Sequence, residues 1–373
     1  MTLRPPALLS LAFLALAAHA ADPIKLGHYG SLTGKDGAFG AATRKGVILA
    51  IDEINGKGGV LGRPLQYLVE DTQSKAGEAV TAVKKLISRD KVVAVIGANA
   101  SATSLEAAPI CQNAKIPMMA ISSTNPRVTE VGDYIFRICF IDPFQGAVLS
   151  KFAATSLKAK RVALITAVNS PYSMGLSAVM RRDFTARGGE IVAEQKYTEG
   201  EKDFRAQLTA IRPLRPDVIA ITGFYTEVAL MCKQARDLGI TVPFIGGDGW
   251  EAPQLIELGG KAVEGTYYST YFSAENDAPE VRSFVDRYRA MWNNEVPEAV
   301  AALGYDAVYL IAAAMTKAGT TDSAPLRAAI AATKDFPGVT GRTTIDEKRN
   351  SAKAAVMLTV KNGRSQFFEA VTP

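Results

Sequence analysis

Residues 24–69, IKLGHYGSLTGKDGAFGAATRKGVILAIDEINGKGGVLGRPLQYLV, decide the fold class of this chain. The apolar runs at 24–29 and 65–69 have the length and composition of buried strands. Between them, four apolar residues share one face of a helix: Val47, Ile48, Ile51 and Ile54. The glycine-rich run at 56–59 ends that helix. This order, with continuously apolar strands, predicts a parallel sheet covered by helices on both faces.

The same alternation continues in two series along the chain. The first series adds strands at 92–96 and 118–121 and a helix with Val80, Val83 and Ile87 on one face. The second series starts near residue 143 and has predicted strands at 162–165, 191–197, 218–221 and 244–245 and helices at 174–187, 204–212 and 227–238. Each series therefore predicts one lobe with its own parallel sheet.

The C-terminal third carries two long helical stretches, 278–293 and 299–318, and then strand-like runs at 340–345 and 355–360. Because these helices have no second complete sheet of their own to cover, we expect the chain to return to the first lobe. The prediction is an α/β protein of two Rossmann-like lobes with parallel-sheet cores. Lobe 1 takes residues 21–142 and 273–350, and lobe 2 takes residues 143–272 and 351–373.

Length and composition exclude several classes of protein. A chain of 373 residues with 48% hydrophobic and 21% charged residues can build two packed domains, and disorder is not expected. The 42 basic and 37 acidic residues give a net charge of +5. The basic residues cluster only in pairs such as Lys84-Lys85. Nucleic acid is therefore not expected as a partner.

The first twenty residues predict export. Arg4 precedes an almost continuous apolar run at 7–18, and Ala18-His19-Ala20 has the small-x-small pattern of a signal peptidase site. The run is too short to span a membrane, and no cysteine stands at the cleavage site to carry a lipid anchor. We expect residues 1–20 to be a cleaved signal peptide and the mature chain to be periplasmic.

Three cysteines leave at least one thiol unpaired in an oxidising compartment. If a disulfide forms, Cys111 on a predicted helix and Cys139 on a nearby predicted strand are the favoured pair. Cys232 is expected to be a small buried apolar residue. Because no two cysteines are close in sequence and His28 is the only histidine after residue 20, neither a metal site nor another cofactor is predicted.

Two loops rich in hydroxyl groups follow consecutive predicted strands, at 98–104 and 122–126. In an open parallel sheet, ligands bind beyond the carboxyl ends of the strands. Small loops with free backbone N–H groups and hydroxyls are good receptors for a carboxylate. The alternative is that these serines and threonines only cap helices, and the sequence leaves both interpretations open.

A complementary charge follows the last predicted strand of the second lobe, in Gly246-Gly247-Asp248-Gly249-Trp250. Glycines let the backbone approach a ligand closely, and an aspartate beside a tryptophan can pair with an ammonium group in a dry site. The alternative is an ordinary turn aspartate.

An enzyme is not predicted. The sequence has no Gly-x-Ser-x-Gly elbow, and with His28 as the only mature histidine a serine or cysteine triad lacks an obvious base. Residues 30–35, GSLTGK, are one residue short of a phosphate-binding loop and are followed by Asp36. Glycines 34, 37 and 40 do not have the spacing of a dinucleotide-binding fingerprint.

Several short motifs, in this order and spacing, resemble the branched-chain amino acid binding proteins of bacterial ABC transporters, the type I periplasmic solute-binding family. They are GSLTG at 30–34, Gly46 with AIDEINGKGGVLG at 50–62, VIG at 95–97, GEKDF at 200–204, QAR at 234–236 and GYDA at 304–307. The resemblance covers essentially the whole mature chain. It implies two lobes joined by three crossings of the chain, with one ligand enclosed between them.

The resemblance also implies a set of ligand-binding residues. Ser101, together with Ser123 and Thr124, falls where the family binds the ligand carboxylate, and Ser122 falls where a backbone carbonyl accepts from the ligand ammonium. Asp248 occupies the place of the acidic residue that takes this ammonium. The aromatic positions of the cleft wall correspond to Phe39, Tyr172 and Phe224.

The chain departs from the leucine binders at some of these places. Asp248 is one methylene shorter than the glutamate common there, and Phe39 and Phe224 stand where tyrosines are frequent. Gln73 and Ala100 replace a cysteine pair. The expected function is capture of an amino acid, aliphatic or branched-chain, by a monomer that delivers it to a membrane permease. The alternatives are binding of an amide, urea or aromatic acid, and a sensor that signals to a receptor.

Overall fold

The computed structural model describes residues 22–372, and the predicted signal peptide at 1–20 lies outside the described residues. The strands are β1 (Ile24–Gly30), β2 (Leu65–Asp71), β3 (Ala94–Ile96), β4 (Met118–Ala120), β5 (Ile135–Arg137), β6 (Arg161–Ala167), β7 (Glu190–Tyr197), β8 (Val218–Ile221), β9 (Phe244–Gly246), β10 (Tyr267–Thr270), β11 (Phe336–Gly338), β12 (Gly341–Ile345), β13 (Ser351–Ala352), β14 (Ala355–Lys361) and β15 (Arg364–Val371).

The helices alternate with these strands through most of the chain. They are α1 (Gly37–Gly56), α2 (Glu78–Ser88), α3 (Ser101–Ala114), α4 (Arg127–Glu130), α5 (Asp142–Thr155), α6 (Pro171–Ala186), α7 (Arg205–Ile211), α8 (Tyr225–Asp237), α9 (Pro253–Gly259), α10 (Pro279–Met291), α11 (Ala299–Ala318) and α12 (Ser323–Ala331). Short 3₁₀ turns lie at Arg212–Leu214, Asp248–Trp250 and Gly260–Val263.

The first sheet has five strands in the order β2-β1-β3-β4-β5, all parallel. Successive strand residues point to opposite faces. On β3, Ile96 packs in the apolar cluster that contains Val47 of α1, whereas Val95 packs in the cluster that contains Val83 of α2 and Ala107 of α3. Helices therefore cover both faces of this sheet, as the apolar strands predict.

The second sheet repeats this topology and then extends it. Its order, β15-β14-β10-β9-β8-β6-β7, contains a parallel set, β7-β6-β8-β9-β10, that corresponds strand for strand to the first sheet. The added strands β14 and β15 pair antiparallel. The predicted parallel core is therefore present in the second sheet, and the C-terminal chain adds an antiparallel hairpin at its edge.

The C-terminal helices return to the first sheet, as expected. The backbone of α11 packs directly on α1, and a Cβ at Gly46 would lie 1.9 Å from the carbonyl oxygen of Ala301, so only glycine permits this approach. Helix α11 is long and apolar enough to cross a membrane, but 83% of its most apolar window is buried, which makes α11 a core helix of this fold.

The lobe boundaries inferred from the sequence stay a prediction. The chain passes from the first sheet to the second after β5, leaves it after β10 and rejoins it at β14. The small sheet β11-β12-β13 extends across the predicted boundary at 350–351, because β13 pairs with β12. Cys111, Cys139 and Cys232 are all buried free thiols, and Cys139 lies two residues beyond β5 and not on a strand.

Candidate functional site

The two sheets place corresponding loops opposite each other. In a doubly wound sheet, ligands bind at the switch point of the strand order, at the carboxyl ends of the strands. In the first sheet, Phe39 follows β1, Asn99 follows β3 and Ser122 follows β4. In the second sheet, the residues that follow the corresponding strands are Tyr172 after β6, Phe224 after β8 and Asp248 after β9.

These loops enclose a small cavity between the sheets. Its lining residues are Phe39, Asn99, Ser122, Tyr172, Phe224, Asp248 and Gly249. Five of them were predicted from the sequence as site residues. Ser101, Ser123 and Thr124, which were also predicted, are buried and are not among the lining residues. We call the side formed by Asn99, Ser101 and residues 122–124 the hydroxyl wall, and the side formed by Tyr172, Phe224 and Asp248 the acidic wall.

On the hydroxyl wall, the side chains hydrogen-bond mainly to their own loops. The Asn99 amide donates to the Ser122 hydroxyl at 3.1 Å. The Ser123 hydroxyl lies 2.7 Å from that of Ser104, and it is 3.0 Å from the carbonyl oxygen of Ala98. Such a network fixes the loop geometry. The hydroxyl of Ser123 therefore serves the loop and does not face the cavity.

Ser101 and Thr124 are also fully buried. Ser101 begins α3, and its hydroxyl accepts from the backbone N–H of Asn125 at 3.2 Å. The carbonyl of Thr124 accepts from the backbone N–H of Asp142 at 2.9 Å. The fully buried guanidinium of Arg137 closes the loop from behind and donates to the carbonyl oxygen of Asn125 at 2.8 Å. Contacts within the protein thus hold the backbone of the hydroxyl wall in place.

On the acidic wall, the carboxylate of Asp248 is buried and held by two side chains. One oxygen, Oδ1, accepts from Gln145 Nε2 at 2.9 Å, and the other, Oδ2, accepts from the Tyr271 hydroxyl at 2.7 Å. Burial raises the pKa of Asp248, and the hydrogen bonds from Tyr271 and Gln145 oppose this rise. A cation in the cavity would compensate the remaining cost of the buried charge.

Aromatic rings form the rest of the enclosure. Tyr172 stacks on Phe224 with ring centroids 5.2 Å apart, and the backbone N–H of Gly249 donates to the Tyr172 hydroxyl at 3.3 Å. Phe39 meets the edge of Phe224 at 6.0 Å. These rings exclude water from the space beside Asp248, which strengthens electrostatic interactions there.

Direct contacts join the two sides at the rim of the cavity. The Tyr225 hydroxyl donates to the carbonyl oxygen of Lys35 at 2.7 Å, and the Lys35 ammonium pairs with Glu199 at 2.7 Å. The amide of Asn125 donates to the carbonyl oxygen of Pro171 at 2.8 Å. The structure is therefore a closed form of the cleft.

Metal ligation does not explain this arrangement. Within residues 22–372, no group of three or more histidine, cysteine, aspartate or glutamate side chains is placed to hold a metal ion. The cavity instead offers a buried carboxylate at one side and a hydroxyl and an amide at the other. This combination suits a small organic ligand with a cationic group.

Residues 23–364 match the sequence profile of the family described as Periplasmic binding protein. The chain belongs to this family. An amino acid binding protein of Pseudomonas aeruginosa is 31% identical over 314 residues, which are 83% of this chain and 83% of that protein. The family resemblance inferred from the short motifs is confirmed.

Two solved structures of the family are closely similar to this fold. A leucine binding protein from Thermotoga maritima has 39% sequence identity and a TM-score of 0.90, and the match covers 94% of this chain and 99% of that chain. A branched-chain amino acid transporter substrate binding protein from Streptococcus pneumoniae, in complex with isoleucine, has 35% identity and a TM-score of 0.90 over 94% and 100%. The predicted two-lobed α/β architecture is confirmed.

The sequence did not single out four residues that the structure places at the site of this periplasmic binding protein. Asn99 and Gly249 line the cavity, and Gln145 and Tyr271 hold Asp248. Asn99 and Gly249 lie in loops that had been recognised as candidates. Gln145 and Tyr271 lie 103 and 23 residues from Asp248, and no local pattern connects them to it.

Proposed function

We propose that this protein is an extracytoplasmic solute-binding protein of an ABC transporter that captures an aliphatic, branched-chain amino acid. The observation that carries the proposal is the Asp248 carboxylate, buried at an enclosed cavity with an aromatic lining. The relatives support it, because a leucine binding protein and an isoleucine complex share this fold at 39% and 35% identity.

The ligand ammonium is assigned to the acidic wall. An anionic ligand beside Asp248 would bring two negative charges together in a dry cavity, which is costly. A ligand ammonium instead completes the hydrogen bonding of a carboxylate that Gln145 and Tyr271 already hold. The charge of the ligand group is therefore specified by Asp248.

The ligand carboxylate is assigned to the hydroxyl wall. Ser101 begins the fourteen-residue helix α3, so the backbone N–H groups of its first turn and the helix dipole favour an anion there. Ser122 presents its side chain to the cavity, and residues 123 and 124 follow it directly. A zwitterion thus meets a matching partner at each wall.

The side chain of the ligand is selected by the aromatic lining of the cavity. The rings of Phe39, Tyr172 and Phe224 line the cavity, and such a lining suits an apolar side chain. The Lys35–Glu199 ion pair lies at the rim and not among the cavity-lining residues. These features favour leucine, isoleucine or valine over a charged amino acid.

Binding and release follow from relative motion of the two lobes. The ligand enters the open cleft, the lobes close by a hinge motion at the three chain crossings, and a membrane permease recognises the closed form. Residues 1–20 direct the chain to the periplasm, where it acts as a monomer. No chemical bond changes in this cycle.

The proposal is tested with protein that has been unfolded to remove any bound ligand and then refolded. Amino acids are titrated into this ligand-free protein in a calorimeter. We expect saturable binding of L-leucine, L-isoleucine or L-valine, together with a raised melting temperature. The matched control is 4-methyl-2-oxopentanoate, which keeps the carboxylate and side chain of leucine but lacks its ammonium. Binding of this keto acid or of benzoate, without binding of any amino acid, would overturn the proposal.

A further inference from the structure

The two side chains that hold Asp248 come from distant parts of the chain. Gln145 lies on α5, shortly after the chain leaves the first sheet, and Tyr271 directly follows β10, where the chain turns back. Gln145 is completely buried, and Tyr271 is 4% exposed. Each donates one hydrogen bond to a different oxygen of the same carboxylate. The arrangement therefore joins Asp248 to both of these crossing segments.

Both donors are themselves fixed by further contacts. The Tyr271 ring packs against the ring of Phe140 at a centroid distance of 4.0 Å. Gln145 Nε2 is also 3.0 Å from the Ser269 hydroxyl. Neither donor can rotate away from Asp248 without losing these contacts. The two oxygens of the carboxylate consequently have one preferred orientation.

We propose that Tyr271 and Gln145 are positioning residues for ligand recognition, which hold Asp248 so that its remaining lone pairs face the ammonium group of the ligand. This inference rests on the proposed function, because it takes the ammonium of an amino acid as the group that Asp248 binds. A carboxylate in a dry site needs most of its lone pairs satisfied before it can stay ionised. Tyr271 and Gln145 each donate one of the hydrogen bonds that the carboxylate needs, and the ligand ammonium donates the remaining ones.

Removal of one donor has a predictable effect on the charge of Asp248. The titratable groups that face this carboxylate are Cys139, Asp142, Tyr172, Glu251 and Tyr271. None of these groups carries a positive charge that would stabilise the carboxylate. Without the hydroxyl of Tyr271, burial dominates further and the pKa of Asp248 rises. Only the ionised form of Asp248 attracts an ammonium. As the pH is lowered, the variant should therefore lose ligand binding at a higher pH than the wild type does.

The test compares Tyr271→Phe with Tyr268→Phe in the full protein, by calorimetric titration with L-leucine from pH 5 to pH 8. Tyr268 is the matched control, because it is equally buried on the adjoining strand β10 and its hydroxyl bonds to Ser365 at 2.7 Å. We expect Tyr271→Phe to lose roughly tenfold or more in affinity at pH 7. We also expect the leucine affinity of Tyr271→Phe to begin falling at a higher pH than that of the wild type as the pH is lowered. The affinity of Tyr268→Phe should stay within about twofold of the wild type at every pH.

Gln145→Leu is the second variant. Like Tyr271→Phe, it should bind leucine more weakly and lose binding at a higher pH than the wild type. It keeps the test decisive if Tyr271→Phe does not fold. If the wild type binds leucine and these variants keep its affinity and its pH profile, the inference is overturned while the proposed function stands. If the wild type binds no amino acid at all, the proposed function itself fails. A loss of affinity with an unchanged pH profile would also overturn the inference, because a merely structural defect has that signature.

Discussion

The hydroxyl wall and the acidic wall occupy equivalent places in two sheets of the same topology, yet their chemistry is different. Ser122 follows β4 in the first sheet, and Asp248 follows β9, the corresponding strand of the second. Asn99 follows β3, and Phe224 follows β8. The topology thus supplies three loops on each side, and the residues in those loops decide what each side recognises.

The two walls also differ in how they are held in place. The hydroxyl wall is held by contacts within the first sheet and its loops, among Asn99, Ser122 and Ser123 and from the guanidinium of Arg137 on β5. The acidic wall depends on side chains from elsewhere, Gln145 and Tyr271, which lie at segments that connect the two sheets. A neutral surface can be completed locally, whereas a buried charge needs donors from several elements. We therefore expect substitutions on the acidic wall to have the larger effects.

The largest expected effect is that of Asp248→Ala on ligand affinity. The variant leaves a buried ammonium without its counter-charge, which costs about 3 to 5 kcal/mol, or two to three and a half decades in Kd. Calorimetry with L-leucine at pH 7 measures the loss. Asp248→Asn is the matched control, because it keeps the shape but removes the charge, and it should lose affinity by a smaller amount. Undiminished leucine binding by Asp248→Ala would contradict the role given to the acidic wall.

The fold was largely predictable because each strand buried on both faces reads as an apolar run. The runs at 24–29, 162–165 and 218–221 coincide with or lie within strands β1, β6 and β8. Helix α5 was not predicted. Its own side chains are buried around much of the helix surface, among them Val148, Leu149 and Phe152. A helix without a solvent-exposed face lacks the 3.6-residue periodicity that identifies an amphipathic helix.

The candidate site was predictable to the extent that it follows strand ends. Loops after strands meet at the carboxyl edge of a sheet, so the loops that carry Ser122 and Asp248 were identified from the sequence, and the family resemblance added Phe224. Contacts within loops were not predictable, and for this reason the inward-facing Asn99 was not distinguished from Ser123, whose hydroxyl turns to Ala98. Side-chain direction in an irregular loop depends on backbone angles that the sequence pattern does not specify.

The second prediction concerns a tether between the acidic wall and the first sheet. Glu251 ends the loop that carries Asp248, and its carboxylate accepts from the backbone N–H of Ala299 at 2.7 Å, at the start of α11. It also accepts from the Thr270 hydroxyl. Burial raises the pKa of Glu251 from 4.5 to about 8. The folded protein therefore retains a proton that the unfolded chain has already released at neutral pH.

The sign of the pH dependence follows from this difference. Between about pH 4.5 and pH 8, Glu251 binds a proton in the folded state but not in the unfolded state, so its contribution to the free energy of unfolding falls as pH rises. Glu251→Gln mimics the protonated form and should remove this decline. We expect the free energy of unfolding of Glu251→Gln, relative to that of the wild type, to increase by about 1 to 3 kcal/mol between pH 5 and pH 8.

Chemical denaturation at several pH values measures the effect, and Glu257→Gln on the exposed side of α9 is the control. The control should leave the pH dependence of the wild type unchanged, because the side chain of Glu257 is exposed to solvent and is not part of the tether. If Glu251→Gln is uniformly less stable with the same pH dependence as the wild type, Glu251 is ionised in the folded protein. The tether would then be a conventional charged cap of α11.

The smallest expected effects separate the two sides of the hydroxyl wall. Ser122 lines the cavity, so Ser122→Ala should weaken leucine binding by about 1 kcal/mol, with little change in melting temperature. Ser123 bonds behind the surface to Ser104 and to the carbonyl oxygen of Ala98, so Ser123→Ala should instead lower the stability by about 1 kcal/mol. Its leucine affinity should stay within about twofold. Calorimetry and thermal melts of both variants measure affinity and stability. If Ser123→Ala loses affinity and Ser122→Ala loses stability, the hydroxyl of Ser123, and not that of Ser122, contacts the ligand.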